Sequence, residues 1–146
     1  LKALEMIIDH HSEIDPGFWI WKNFDPGEPN LACPCCGEFF LDLISMNCIQ
    51  GARDILGKAM KINSGHRCGI HNARVGGAPA SQHKKIAFDI SLKGHEREEV
   101  FHACRKAGFG SFGFYQTFLH TDIRPGRSWF GKGARGSWNL EALEQS

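Results

Sequence analysis

His83, Asp89 and His120 supply two imidazoles and one carboxylate. Such a donor set suits a catalytic zinc ion, which keeps three protein ligands and a fourth position for water; a closed structural site adds a fourth protein ligand, usually Cys. Along Phe118–Ile123 the side chains of a strand alternate, so His120 and Asp122 share a face with Phe118, while Leu119, Thr121 and Ile123 take the other. Asp89 stands between Phe88 and Ile90, where an unpaired carboxylate is costly to bury, and a metal or a salt bridge removes that cost. His10, His11, His71, His95 and His102 lie in no comparable setting and read as structural or exposed.

The elements that must position these groups follow from periodicity. Leu1, Leu4 and Ile8 recur at helical spacing and predict a short helix, after which Asp15-Pro16-Gly17, Asp25-Pro26-Gly27 and Pro29-Asn30 break the chain into turns. Phe18-Trp19-Ile20-Trp21 between those breaks reads as packing over the core. Leu41, Ile44, Cys48, Ala52 and Ile55 predict a core helix from Phe40 to about Leu56, stopped by Gly57. A short strand at Lys61–Ser64, a long loop from Arg67 to Pro79 and a strand at Ala87–Ser91 come next. Glu96–Ala107 has acids in its first turn and Val100, Phe101, Cys104 and Ala107 on one face, with Gly108 as cap, and predicts a second helix. Two more strands are expected, at Phe112–Tyr115 and Phe118–Ile123.

The 146 residues fit one domain large enough to hold a core without disulfides. Net charge is +1, from 17 basic and 16 acidic residues, so no overall field points to nucleic acid or an anionic membrane. Arg124, Arg127, Lys132 and Arg135 form the largest basic excess and read as solvated surface. No apolar run is long enough to span a bilayer. The first residues, with Lys2 and Glu5 inside a short apolar stretch, do not read as a secretory signal, and localisation stays open.

Six cysteines stand at positions 33, 35, 36, 48, 68 and 104. Cys33-Pro34-Cys35-Cys36-Gly37 looks like half of a zinc knuckle, and Cys48, Cys68 and Cys104 lie singly, with no second C-x-x-C. A structural metal, a disulfide and free thiols all remain open for that cluster, and Cys48 and Cys104 read as buried small hydrophobes on their helices.

A series of short blocks also carries a resemblance: Ile62-Asn63-Ser64-Gly65-His66-Arg67-Cys68, His71-Asn72, Val75-Gly76-Gly77-Ala78-Pro79, Ser81-Gln82-His83, Ala87-Phe88-Asp89-Ile90, Gly113-Phe114-Tyr115 and Phe118-Leu119-His120-Thr121-Asp122. In order and spacing they resemble the zinc D-alanyl-D-alanine carboxypeptidase family, in its short single-domain phage and bacterial form, from about Asp25 to Trp129. The resemblance implies a small single-domain α+β fold of the hedgehog type, an antiparallel sheet with helices packed on one side. It divides the chain into an entry segment, 1–24, and a zinc peptidase-like domain, 25–146. It implies one catalytic Zn²⁺, hydrolysis of peptide bonds in cell-wall peptidoglycan stems, a peptidoglycan peptide as substrate, and a monomer that spans no membrane and binds no nucleic acid.

Carried over residue by residue, His83, Asp89 and His120 match the zinc ligands, and Arg67 matches the arginine beside the metal that binds substrate. A guanidinium there can clamp a carboxylate in a bidentate pair or hold a developing oxyanion. Ser81 fits a substrate contact, and His66, standing where relatives carry another residue before the arginine, brings an extra imidazole toward the site. Relatives place an acid three residues before the last ligand, a position held here by Thr117. Asp122 is then the available carboxylate, either activating the water or orienting a ligand. Relatives also separate the first His from the Asp by six residues, often with a Gly, whereas five residues, Lys84–Phe88, intervene here. The turn after His83 must absorb that change, because a one-residue slip reverses side-chain direction in a strand. Two further classes remain, a non-catalytic zinc-containing binding module of the same fold and a zinc-finger-like interaction protein built on Cys33, Cys35 and Cys36.

Overall fold

Asp42 ends a strand and starts a helix. It closes β2 (Phe39–Asp42), and its carboxylate accepts from the Ile44 N–H at 3.2 Å and from Ser45 Oγ at 2.7 Å, capping α1 (Leu43–Leu56). In this computed structural model, which describes residues 4–144, the expected helix from Phe40 therefore begins three residues later. Its buried face moves accordingly, to Ser45, Met46, Cys48, Ile49 and Ala52, and Ile44 and Ile55 stay about half exposed. Gly57 ends α1 in the left-handed region at φ 71°, as its position predicted.

The short helix expected at the start is a strand instead. β1 (Glu5–Ile8) pairs antiparallel with β2 over Glu5–Asp42 and Ile8–Phe39; Leu1 lies outside the described residues. Downstream, Trp21, Phe24 and Leu31 enter the core, and Trp19 meets Trp21 edge to face at 4.9 Å. Phe18 and Ile20 face outward, so only alternate residues of that aromatic run pack.

The main sheet has the order β3-β4-β6-β5-β7. It contains β3 (Ile62–Ser64), β4 (Phe88–Ser91), β5 (Ser111–Phe114), β6 (Phe118–Asp122) and β7 (Arg127–Phe130). The first four pair antiparallel as expected, and β7 runs parallel to β5, so the sheet is mixed. Chain direction explains this. β6 ends beside the start of β5, where Asp122 faces Ser111, and the turn through Pro125-Gly126 carries the chain past Gly110 to β5's free edge, where it sets off in β5's own direction.

Helix α3 (Arg97–Ala107), capped by Gly108 at φ 116°, packs against α1, with Ala107 beside Gly51. Val100, Phe101 and Cys104 of α3 share one core with Phe88 and Ile90 of β4, Phe112 and Phe114 of β5, and Leu119 of β6. Alternation then sends Asp89, His120 and Asp122 to the face away from those helices. The expected long loop after Arg67 contains α2 (Gly69–Arg74), which Cys68 caps through its sulfur, and a last helix, α4, covers Leu140–Glu144. No helix among the described residues is long and apolar enough to cross a membrane.

Leu119 is fully buried between the sheet and the helices. Leu119→Ala should cost about 2–5 kcal/mol, as deletion of a buried Leu side chain leaves a cavity. A urea midpoint unchanged from that of the parent chain would contradict this placement of the core.

Candidate metal centre

Antiparallel pairing of β4 and β6 sets Asp89 directly opposite His120. The third group arrives from a 3₁₀ turn, Gln82–Lys84, which Ser81 caps by accepting the His83 N–H at 3.2 Å. The short span to Asp89 turns at Lys85, whose backbone sits at φ −100°, ψ −107°, and passes through Ile86, which is buried. Asp89 thereby keeps its direction toward His83.

The nitrogens are assigned by what holds their opposite sides. His83 Nδ1 donates to the Gly65 carbonyl at 2.7 Å, leaving Nε2 3.2 Å from Asp89 Oδ1. His120 Nε2 donates to Asp122 Oδ2 at 2.7 Å, leaving Nδ1 3.1 Å from the same Asp89 oxygen. In neutral rings, both remaining nitrogens would aim lone pairs at an acceptor. A proton on one ring or a metal cation held by both reconciles them, and N and O ligands about 2.0–2.1 Å from a tetrahedral zinc lie about 3.3 Å apart. The ligand atoms of His83, Asp89 and His120 all lie within 4.8 Å of one another, and all three residues are buried. The donor set therefore fits zinc.

The same contacts set the electrostatics of the site. Burial pushes the Asp89 carboxyl up, but hydrogen bonds and charge from His120 and His83 more than offset it and hold the group down at about 2. Burial lowers His120, whereas Asp122 and Asp89 raise it above its ordinary value. Asp122 is pushed up by burial and pulled well below the carboxylate range by Arg124 and then His120. Arg124 Nε and Nη2 each donate to Asp122 at 2.8 Å, so this arginine, read from sequence as solvated surface, is built into the support of His120.

The three ligands open onto a cavity of about 690 Å³ that Arg67, Ser81, Tyr115, Arg124, Arg127 and Trp129 help to line. Arg67 Nη2 stands 3.9 Å from Asp89 Oδ2; its Nε donates to Ser64 Oγ at 3.2 Å and its Nη1 to Asn72 Oδ1 at 3.3 Å. Asn72 in turn donates to the Ala78 carbonyl, and a Cβ on Gly77 would strike Asn72, which accounts for Asn72 and Gly77 as a brace for Arg67. His66 lies apart. Its ring is 1% exposed and hydrogen-bonds Glu38 and the Lys85 carbonyl instead of lining the cavity.

Sequence reasoning did not single out Trp129 or Tyr115. The Trp129 ring centroid is 5.1 Å from that of His120, and its Nε1 donates to Tyr115 Oη at 3.0 Å. Gly113 was the available signal, since a side chain there would collide with the Trp129 indole.

Asp122→Asn should weaken zinc binding about 10–100-fold, the usual effect of losing the carboxylate behind a metal-binding His. Competition against a chelator measures it; an affinity equal to that of the parent would show that Asp122 does not orient His120.

Comparison with curated proteins and with solved structures found no match. A family model described as Peptidase M15 matches residues 29–123, the greater part of the chain. That span holds His83, Asp89 and His120 together with Gly65 and Asp122 behind the two imidazoles, and it covers the motif series that resembled zinc peptidases. A zinc-dependent family is thus matched by a chain whose donors fit zinc, and the chain belongs to the peptidase M15 family.

Proposed function

We propose that the protein hydrolyses amide bonds in the peptide stems of bacterial peptidoglycan, as a D-alanyl-D-alanine carboxypeptidase or an endopeptidase, with zinc held by His83 Nε2, His120 Nδ1 and Asp89. The observation that carries this reading is the convergence of those three donors at the floor of an open cleft beside Arg67. Zinc supplies polarisation of the amide carbonyl and acidification of a water molecule when bound. The chain's own groups do the rest. Arg67, braced by Ser64 and Asn72, holds the substrate carboxylate or the oxyanion that develops on the scissile carbonyl. Ser81 offers its hydroxyl at the cleft edge. Asp122 acts through His120: both of its oxygens are taken by His120 and Arg124, which favours orientation of the ligand over transfer of the water's proton.

Charge favours a substrate bearing carboxylates. Arg67, Arg124 and Arg127 line the cleft, and among the described residues its one lining carboxylate is Asp89. Stem peptides carry carboxylates at their free ends and along the chain. A different residue favours a second reading, a binding module that keeps the metal and has lost turnover: Thr117 occupies the position where the resembled peptidases carry an acid and is itself exposed.

A synthetic stem pentapeptide ending in D-Ala-D-Ala, together with a cross-linked stem dimer, separates these readings when incubated with zinc-loaded protein. Release of D-Ala or splitting of the dimer is the expected result. Saturable binding of both without cleavage would establish the second reading.

A further inference from the structure

A second group of metal-ligating side chains lies outside the cleft. Cys33, Cys35 and Cys36 occupy the turn before β2, and Cys68 follows β3. Far apart in sequence, their four sulfurs lie within 4.8 Å of one another, and Cys35 Sγ is 3.5 Å from both Cys33 Sγ and Cys68 Sγ. A disulfide needs about 2.05 Å, and all four residues are free thiols. Thiolates about 2.3 Å from a tetrahedral zinc lie about 3.8 Å from one another, close to the spacing seen. We propose that Cys33, Cys35, Cys36 and Cys68 form a second, closed metal centre that takes a structural zinc ion.

The surrounding backbone is built for such a centre. Cys33 and Cys36 stand three positions apart, with Pro34 and Cys35 between them, in a turn closed by Gly37, whose N–H donates to the Cys33 carbonyl at 2.8 Å and whose φ of 80° favours glycine. The Cys33 N–H donates to the Glu38 carbonyl at 2.8 Å, completing the knuckle. A backbone N–H also points at sulfur, that of His71 at Cys68 Sγ, 3.3 Å away. Such bonds stabilise a thiolate ligand. Cys68 thus supplies the ligand that the half-knuckle lacked in sequence, and a single cysteine suffices because Cys33, Cys35 and Cys36 already contribute three.

The centre clamps two strands of chain that already run together, where the Gly65 N–H donates to the Asn30 carbonyl at 2.7 Å and the His66 N–H to the Leu31 carbonyl at 3.0 Å. Cys68 directly follows Arg67, so the clamp fixes the backbone from which the cleft arginine projects. The value of that to catalysis rests on the peptidase reading; the metal count does not.

The test is metal content per chain, measured on the full chain prepared under reducing conditions and loaded with zinc. Two equivalents are expected for the parent, one for His83→Ala and one for Cys68→Ser. Replacing zinc by cobalt(II) should give an intense near-ultraviolet thiolate-to-cobalt band in the parent and in His83→Ala. That band should be missing from Cys68→Ser. If Cys68→Ser does not fold, the parent alone decides: the thiols of Cys33, Cys35, Cys36 and Cys68 should become reactive toward a disulfide reagent only when a chelator is added, Cys48 and Cys104 being buried throughout. One equivalent in the parent that His83→Ala loses, no cobalt–thiolate band, or thiol reactivity indifferent to the chelator would each overturn the second centre. Two equivalents without hydrolysis would leave this centre standing and remove the peptidase reading; hydrolysis with one equivalent would do the reverse.

Discussion

Replacing His120 with alanine is expected to remove zinc from the cleft and to reduce hydrolysis by about 10³-fold or more, since loss of metal forfeits several kcal/mol of charge stabilisation and each 1.36 kcal/mol is a factor of ten. The reason lies in how few donors there are. Among the described residues three ligand atoms converge, and removing Nδ1 of His120 leaves one imidazole and one carboxylate. The fold should survive, because the core side of β6 is carried by Leu119 and Thr121, both fully buried on the opposite face. Asp122 keeps its pair with Arg124 when the ring is gone. Zinc content and turnover should therefore fall together while the circular dichroism spectrum stays that of the parent. Hydrolysis at the parent rate by a folded His120→Ala chain would remove His120 from the mechanism.

Arg67→Ala carries the second large effect, about 10²–10³-fold in kcat/KM, the range for loss of one preorganised donor to an oxyanion. Zinc content should not change, because Arg67 touches Asp89 only at 3.9 Å and supplies no ligand. Arg67→Lys is the informative companion. It keeps the positive charge but cannot hold Ser64 and Asn72 while presenting a planar fork to substrate, so it should recover only part of the loss. Steady-state kinetics on a stem peptide with a free C-terminal carboxylate, set against its amide, would show where the guanidinium acts. If it binds that carboxylate, the amide should lose affinity with the parent and lose little more with Arg67→Ala. Equal kcat/KM for parent and Arg67→Ala on both peptides would take Arg67 out of the site.

The candidate metal ligands were legible in the sequence because Asp89 and His120 sit in strands whose alternation is local and His83 in a short turn. Phe88 and Ile90 mark the core face of β4 and leave Asp89 to the other, and Leu119 and Thr121 do the same for His120. The motif series then placed Arg67 beside them. What stayed hidden was what depends on pairing across long sequence distances. Glu5–Ile8 is a strand because Phe39–Asp42 lies against it, and Leu1, Leu4 and Ile8 mimicked helical spacing without that knowledge. The same pairing moved the start of α1, although Asp42 with Ser45 was a readable cap. β7 has no alternating pattern of its own and is defined by β5's open edge. Arg124 looked like surface charge because its partner Asp122 is buried by the sheet and not by its sequence neighbours, and Cys68 looked solitary because the fold brings Cys33–Cys36 to it. His66, expected near the metal, is drawn away by Glu38 and the Lys85 carbonyl.

The peptidase reading is tested most directly by digesting purified peptidoglycan with zinc-loaded protein and identifying the released fragments by mass, with metal-free protein and His120→Ala alongside. The account predicts new amino and carboxyl termini at stem-peptide amide bonds, formed by the zinc-loaded parent and by neither control. An undigested sacculus with zinc bound at His83, Asp89 and His120, or identical fragments from all three preparations, would contradict it.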